Sequence, residues 1–249
     1  MRHCIAFMFQ DEEPWLYCLA GILEEAEYPV IAVDGGSQDN GAGVLRNMGA
    51  DVFERPFDWD FAAQQNALID RAIANGYETM LLLAPDELMH VADIHAGFHL
   101  LREYKAVVVP RINFEEDRTM YCPWFYPDWQ TRFWVLDDRI RWRGKHHSSI
   151  LGSMQEDAKW IHQADTREGA RHDIVNAPHL PIFHYEGIKP LARRKLKQLN
   201  YHRSTQGLPP LSGLPEGTPL GAHRHRIPYT GLQPLDPHII GRRYPYNNE

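Results

Sequence analysis

An acidic residue that directly follows a short apolar run is the first feature of this chain that could do chemistry. The largely β-branched run 30–33 indicates a strand buried on both faces, and it is followed at once by Asp34, Gly35, Gly36 and Ser37. In open α/β sheets, ligands bind at the carboxyl ends of such strands, and glycine lets the backbone approach them closely. Asp34 could therefore accept hydrogen bonds from a ribose or a base N–H, although Asp-Gly-Gly also forms ordinary turns.

A second acidic feature, the pair Asp86 and Glu87, follows the apolar run 80–83. Carboxylate oxygens suit a hard cation such as Mg²⁺ or Mn²⁺. The alternative is that the pair stands before a helix near 92–103, where negative charge complements the helix dipole. The two interpretations differ in whether these side chains face a ligand or a helix end.

Three stretches together resemble the nucleotide-sugar-binding half of family-2 glycosyltransferases with the GT-A fold. They are the run ending at Asp34, the stretch Asp-Phe-Ala-Ala-Gln-Gln-Asn at 60–66, and the run ending in Ala-Pro-Asp-Glu at 84–87. The family has a strand ending in Asp-x-x-Ser-x-Asp, then Phe-x-x-x-Arg-Asn, then a strand ending in Asp-x-Asp-Glu. The resemblance covers roughly residues 3–185 and carries no information about the substrate.

The resemblance implies which residues bind the nucleotide sugar, with Asp34 at the uracil or ribose. Two positions depart from the family: Gln65 stands for an Arg, and Ala84 for the first Asp of Asp-x-Asp. A neutral amide cannot supply the bidentate, charge-assisted phosphate contact of Arg, so the grip on the diphosphate is open. The predicted nucleotide-sugar-binding set is Asp34, Gly35, Ser37, Gln65, Asn66, Ala84 and Glu87.

The resemblance also implies a divalent cation, Mn²⁺ or Mg²⁺, held by Asp86, the second acidic position of the motif. Such a cation bridges the two phosphates of the donor and neutralises the leaving nucleotide diphosphate. His147 and His184 could complete the metal site or bind the diphosphate, and both could equally be structural histidines.

The catalytic base is not identified by the sequence. Residues 142–148 resemble the family's Trp-x-Gly-x-Val-His-Glu, but Ser148 replaces the Glu, and a serine cannot take the acceptor's proton in an inverting transfer. Asp128, Glu116 and Asp117 remain as candidate bases. The aromatic-rich stretch 121–129 could stack on a sugar or belong to the core.

Hydrophobic periodicity predicts an α/β protein with a mostly parallel central sheet flanked by helices and a Pro/Gly-rich C-terminal extension, and the resemblance implies that this sheet is GT-A-like. We expect a domain at 1–187 and a basic helix with a Pro-rich strap at 188–249. The elements expected are strands at 3–9, 51–54 and 105–114, a helix capped by Asp11 and running to about Glu25, a helix capped by Asp60, and a basic amphipathic helix at 188–203.

Composition and charge narrow the setting. No run of eighteen apolar residues exists, the N-terminal apolar stretch is too short for a signal peptide, and three cysteines lack metal spacing, so we expect a cytoplasmic protein. Residues 186–249 carry ten Lys and Arg against four Asp and Glu, whereas the whole chain has a net charge of −7. The basic tail could bind nucleic acid, dock on the acidic body, or pair subunits into a homo-oligomer.

The expected function is the transfer of a sugar from a nucleotide diphosphate sugar, UDP-sugar being favoured, to a saccharide or other hydroxyl acceptor. Inversion at the anomeric carbon follows from the family resemblance. Two alternatives stay open. One is a glycosyltransferase that acts on a modified base in DNA through the basic C-terminal region, whose affinity would fall steeply with salt. The other is an inactive nucleotide-sugar or glycan-binding protein, because three positions lack a group that the family uses.

Overall fold

The computed structural model describes residues 1–115, 119–122, 126–144, 173–220 and 227–228. Within these residues there are eleven strands and five helices. The strands are β1 (His3–Phe9), β2 (Val30–Asp34), β3 (Asp51–Glu54), β4 (Thr79–Leu83), β5 (Glu87–Leu88), β6 (Ala106–Glu115), β7 (Met120–Tyr121), β8 (Asp128–Val135), β9 (Ile174–Asn176), β10 (Ile182–Gly187) and β11 (Ile227–Pro228). The helices are α1 (Glu13–Ala26), α2 (Gly41–Asn47), α3 (Phe61–Ala74), α4 (Val91–Leu100) and α5 (Leu191–Thr205).

The centre of the sheet is parallel, as the apolar runs predict. Strand β1 pairs in parallel with β2 on one side and β4 on the other, and β3 continues beyond β2. In register, Phe9 faces Asp34, which faces Glu54, while Phe7 faces Leu83. The carboxyl ends of these four strands therefore share one edge, the edge at which open α/β sheets bind ligands.

The other half of the sheet brings a late strand to the same edge. Strand β8 is antiparallel to both β4 and β6, and β10 runs parallel to β6. His184 on β10 is opposite Asn113 on β6, and on its other side it is opposite Glu87 on β5. A histidine about a hundred residues away in sequence is thus placed beside the acidic pair that follows β4.

Alternation along β1 divides the core into two apolar layers, because successive side chains of a strand point to opposite faces. Ile5 and Phe7 pack with α1, α2 and α4, whereas Cys4 and Ala6 pack with α3. Every residue of β4 is buried, which explains its continuous apolar composition. The predicted strands at 3–9 and 51–54 are confirmed, and the expected strand at 105–114 corresponds to β6.

The two helix caps predicted from sequence have opposite outcomes. Asp60 caps α3 as predicted, accepting a hydrogen bond from the Ala63 N–H at 2.9 Å. Asp11 does not cap α1: its carboxylate accepts from the Gln38 N–H at 2.6 Å. The Glu13 N–H at the start of α1 donates instead to Asp39 at 2.8 Å. The cap of α1 is therefore supplied by the loop after β2, which local sequence does not reveal.

The helix-capping interpretation of Asp86 and Glu87 is wrong. Glu87 lies in β5, and the residue that precedes α4 is His90. The pair therefore lies at the carboxyl edge of the sheet rather than at a helix end, with Asp86 bordering a cavity and Glu87 fully buried.

The basic C-terminal segment packs against the body through α5. Arg194 pairs with Glu115 at 3.0 Å, and Lys197 with Glu186 at 3.0 Å. Asn200, within α5, exchanges two hydrogen bonds at 3.0 and 2.7 Å with the backbone of Leu211, which lies beyond the helix. The backbone of β11 then pairs with β7. No helix among the residues that the structure describes is long and apolar enough to cross a membrane.

Candidate active site

Two adjoining cavities open at the carboxyl edge of the sheet. The smaller, about 340 Å³, is bordered by the residues that follow β1, β2 and β4, including Gln10, Gly35 and Ala84. The larger, about 620 Å³, lies between β6, β8, β10 and α5. The two cavities share part of their lining, the common residues being Trp59, Phe61, Glu186 and Lys197. Glu186 is thus a carboxylate that borders both cavities.

Three potential metal ligands converge where the cavities meet. Asp86, His184 and Glu186 each offer one donor atom, and these atoms lie within 4.8 Å of one another. We call these three residues the ligand group. Asp86 comes from the segment after β4, and the other two are alternate residues of β10 that project to the same side. A carboxylate, an imidazole and a second carboxylate suit Mn²⁺ or Mg²⁺, so the donor set fits a divalent cation.

Neighbouring hydrogen bonds fix the tautomer of His184. Asn113 donates its amide N–H to Asp128 at 3.1 Å, which leaves its carbonyl oxygen facing His184 Nδ1 at 2.6 Å. Because that oxygen only accepts, Nδ1 carries the proton and Nε2 keeps its lone pair, 3.7 Å from Asp86 Oδ2. Burial, with the charge of Arg111, lowers the pKa of His184 to about 4. At neutral pH its imidazole is therefore neutral, the form that binds metals.

Asp86 is an ionised, nearly inaccessible carboxylate. Burial opposes ionisation, but the charges of His184 and Lys189 hold the pKa of Asp86 below its usual range. His184 contributes to this shift because it is protonated at the acidic pH where Asp86 titrates. The Asp86 side chain is 6% exposed, and its backbone carbonyl accepts from the Tyr185 N–H at 2.8 Å. The residue is held on both sides between β4 and β10.

A lysine ammonium stands among the carboxylates. Lys189 Nζ lies 2.7 Å from Asp86, 3.0 Å from Glu186 and 2.9 Å from Glu12. Burial would lower the pKa of Lys189, but Asp86, Glu186 and Glu12 together raise it. Arg193 pairs with Glu12 at 3.0 Å. Even so, Glu12 Oε2 and Glu186 Oε2 are buried and accept no well-aligned hydrogen bond from the described residues.

Glu87 is a structural residue rather than a wall of either cavity. Its carboxylate is fully buried and receives hydrogen bonds from Arg132, from Arg111 at 3.0 Å and from the Ala84 N–H at 2.9 Å. Burial raises its pKa, but the two guanidinium charges outweigh this and lower the pKa to about 2. Glu87 thereby ties the end of β4 to β6 and β8. The predicted contact of Glu87 with a nucleotide sugar remains a prediction.

Asp34 shapes the loop after β2. One of its carboxylate oxygens accepts from the Gly36 N–H at 3.0 Å, the Ser37 N–H at 2.8 Å and the Ser37 hydroxyl at 2.7 Å. Gly35 borders the smaller cavity, and a Cβ added there would lie 3.0 Å from Phe57 Cβ. The loop therefore offers backbone to a ligand at Gly35, while Asp34 and Ser37 set its conformation.

The helix α3 holds the predicted residues Gln65 and Asn66, and it also brings Gln64, which the motif comparison did not select, to the smaller cavity. The side-chain amide of Asn66 donates to the Trp142 carbonyl at 3.0 Å and accepts from the Trp142 N–H at 2.8 Å, and Gln65 is buried. Gln64, one position earlier, borders the smaller cavity and donates to the Arg55 carbonyl at 2.8 Å. Nucleotide-sugar binding by Gln65 and Asn66 remains a prediction, and Gln64 joins them as a candidate.

Among the candidate bases, Asp128 is the one that the structure describes. It borders the larger cavity, and it accepts hydrogen bonds from Arg111 at 2.8 Å, Asn113 at 3.1 Å and Gln130 at 2.7 Å. Burial tends to raise the pKa of Asp128, but the charge and hydrogen bond of Arg111, with the hydrogen bonds of Asn113 and Gln130, outweigh this, so the pKa lies below its usual value. Glu116 and Asp117, the other candidate bases, lie outside the described residues, as do His147 and Ser148.

Sequence reasoning missed Glu12, Glu186 and Lys189. Glu186 had a usable signal, because it follows His184 by two positions, and alternate residues of an extended segment share a face. Lys189 and Glu12 had none, since they are 177 positions apart in the chain and meet only through the fold.

No protein-family model matches this chain, and no curated protein matches it by sequence. Solved structures do match. The glucosyl-3-phosphoglycerate synthase of Mycobacterium tuberculosis, in complex with Mn²⁺, UDP and glucosyl-3-phosphoglycerate, is 12% identical, with 83% of this chain and 80% of that chain covered and a TM-score of 0.50. A structure titled as a mycobacterial protein is 13% identical over 83% and 75% of the two chains, with a TM-score of 0.51.

TarS of Staphylococcus aureus is 12% identical over 74% of this chain, with a TM-score of 0.50, and the match spans only 37% of the TarS chain. At such identities the likeness shows the fold. The predicted fold class is confirmed: a mixed α/β molecule of the GT-A type, with a mostly parallel sheet flanked by helices.

Proposed function

We propose that this chain is a glycosyltransferase that moves a sugar from a nucleotide diphosphate sugar, with UDP-sugar favoured, to an acceptor hydroxyl. The observation that carries the proposal is the ligand group Asp86, His184 and Glu186, which lies after the central strand β4 at the meeting point of two cavities. A GT-A neighbour was crystallised with Mn²⁺ and UDP, which supports a similar donor here.

The donor would bind in the smaller cavity. Gly35 brings backbone close to the space where the nucleoside would lie, and Gln64 offers an amide oxygen without a hydrogen-bond partner among the described residues. Asp86, His184 and Glu186 would hold Mn²⁺ or Mg²⁺, with Asn113 fixing the tautomer that leaves His184 Nε2 free. When bound, the cation would neutralise the nucleotide diphosphate as it leaves.

The acceptor would enter the larger cavity. An inverting transfer needs a group that takes the proton of the acceptor hydroxyl on the side opposite the leaving group. Asp128 borders that cavity as an ionised carboxylate and is the base that we propose among the described residues. Its low pKa makes it a weak base, so it would act late, when the hydroxyl has become acidic. Glu116 and Asp117 remain predicted bases.

Donor turnover tests the proposal. The protein is incubated with Mn²⁺ and a panel of UDP-, GDP- and dTDP-sugars, and release of nucleoside diphosphate is measured. We expect release from one donor class, and a loss of at least about 100-fold in Asp86→Asn, because one metal ligand is removed. The matched control Asp70→Asn changes an aspartate that is 64% exposed and pairs with Arg141, and it is expected to keep wild-type activity. Equal turnover in Asp86→Asn would contradict the proposal.

A second candidate, a binding protein without turnover, is favoured by the saturation of Asp128. Its two oxygens already receive hydrogen bonds from Arg111, Asn113 and Gln130. In that case UDP binds tightly and no donor in the panel is cleaved. The DNA-modifying alternative has less support, because Lys189, Arg193, Arg194 and Lys197 each pair with a carboxylate of the body.

A further inference from the structure

The grip on the diphosphate is the missing part of the proposed site, since Gln65 replaces the family's Arg. Three cations border the smaller cavity, and all come from the segment that begins just after β10: Lys189, Arg193 and Lys197. Arg193 and Lys197 are four residues apart on α5, so they project from one face of the helix. This segment is the nearest source of positive charge for phosphates in the cavity.

Lys189 also occupies the place between two members of the ligand group. Its ammonium lies 2.7 Å from Asp86 and 3.0 Å from Glu186, the two carboxylates that a cation would bind. Its side chain is 4% exposed, and the ammonium also lies 5.7 Å from the centre of the Trp15 ring. The ammonium of Lys189 is therefore enclosed by an aromatic ring and three carboxylates.

The charges at this place balance without a metal. Three carboxylates, Glu12, Asp86 and Glu186, face three cations, Lys189, Arg193 and Lys197. A divalent cation that entered alone would add two positive charges beside the Lys189 ammonium, and like charges at such separations repel strongly in a partly buried site. A diphosphate that entered together with the cation would restore the balance.

We propose that Lys189 is the internal counter-ion of this site. Without ligand it neutralises Asp86 and Glu186, and it passes to the diphosphate of the donor when a divalent cation takes its place. Its four-carbon stem and freely rotating ammonium allow this change of partner over a short distance. Arg193 and Lys197 assist on the same face of the cavity. The second half of the inference, the transfer to a diphosphate, rests on the proposed function.

Titration with Mn²⁺ alone tests the first half. Calorimetry compares the wild-type protein with Lys189→Met, which removes the charge and keeps most of the length of the side chain. We expect Mn²⁺ to bind about tenfold more tightly to the variant, because the internal competitor is gone. Lys189→Arg keeps the charge and is expected to bind Mn²⁺ as the wild type does. If Lys189→Met does not fold, Lys189→Gln, which keeps hydrogen-bond donors for Asp86 and Glu186, takes its place.

Titration with UDP at saturating Mn²⁺ tests the second half, because the proposal places Lys189 at the diphosphate only when the cation has taken its place. Here Lys189→Met is expected to bind UDP about tenfold more weakly, because a phosphate-binding cation is lost. Lys105→Met, at the opposite end of β6 with a side chain 66% exposed, is the matched control and is expected to match the wild type in both titrations.

The outcomes separate the inference from the proposed function. Mn²⁺ affinity that is unchanged or weaker in the neutral Lys189 variant would overturn the counter-ion role, even if UDP binds. Tighter Mn²⁺ binding with no UDP, GDP or dTDP binding to any protein would keep the counter-ion role and overturn both its transfer to a diphosphate and the nucleotide-sugar proposal. Tighter Mn²⁺ binding and weaker UDP binding at saturating Mn²⁺ in the same variant would support both halves.

Discussion

At the scale of single residues, the adjacent acids Asp86 and Glu87 have different tasks. Asp86 faces the cavities with His184 and Glu186, whereas Glu87 is buried between Arg111 and Arg132. A buried carboxylate with two guanidinium partners is costly to leave incomplete, because removing one member strands the other charges away from water. Glu87 therefore stabilises the strands on which the site is built.

Glu87→Gln is expected to destabilise the fold by about 3 kcal/mol at pH 7, because the amide leaves the Arg132 charge without its counter-ion. The pKa of Glu87 is lowered from 4.5 to about 2, so its ionic contribution is present above pH 4.5 and disappears as the pH falls toward 2. The difference between wild type and variant should shrink over that range. Urea unfolding at several pH values measures it.

Glu54→Gln is the control for Glu87→Gln, since the Glu54 side chain is 74% exposed and its ion pair with Arg46 is long, at 3.9 Å. Its stability should stay within about 0.5 kcal/mol of the wild type at every pH. A Glu87→Gln protein as stable as this control at pH 7 would contradict the prediction that the Glu87 charge between the two arginines stabilises the fold.

Asn113→Ala is expected to weaken Mn²⁺ binding about 10- to 100-fold, because the alanine no longer fixes the tautomer of His184. Asn113 is a positioning residue, so the loss should appear in the affinity for Mn²⁺ with UDP present rather than in the stability of the sheet. Calorimetry gives the affinity, and urea unfolding gives the stability. Asn75→Ala, which removes an amide bonded to Asp51 far from the site, serves as the control.

At the scale of elements, the sequence predicts what local pattern determines. The buried strands were visible because their apolar runs are continuous, and the start of α3 because Asp60 is a good capping residue. The insertion of β8 between β4 and β6, and the pairing of β10 with β5, depend on contacts between distant parts of the chain. Asp86 and His184 were predicted from their local sequence motifs. Lys189, which joins Asp86 to Glu186, was missed because its partners are distant in the chain.

The cap of α3 gives a prediction at this scale. Asp60→Ala should cost about 1 kcal/mol of stability, because the Ala63 N–H loses its acceptor at the start of the helix. Asp60→Ser, which can cap as well, should recover most of the loss. Thermal unfolding of the three proteins measures the effect, and equal stability of Asp60→Ala and wild type would mean that the bond contributes nothing.

At the scale of the whole molecule, the acidic body and the basic C-terminal segment both contribute residues to the candidate site. The segment after β10 brings Lys189 and Arg193 to carboxylates near β1 and β4, across most of the chain's length. We propose that the chain divides into a body at 1–187 and a C-terminal segment at 188–249. The site is not divided in this way, because residues of both parts border the smaller cavity. A protein truncated after 187 would lack three cations that border the smaller cavity.

The most direct test of this account is a calorimetric titration of the full-length protein with UDP, with and without Mn²⁺, in wild type and in Asp86→Asn. The account predicts that Mn²⁺ tightens UDP binding by about tenfold or more in the wild type, and that Asp86→Asn loses this gain. Absence of binding to UDP, and equally to GDP and dTDP, would contradict the nucleotide-sugar assignment. Tight binding that Mn²⁺ leaves unchanged in both proteins would contradict the metal role of Asp86.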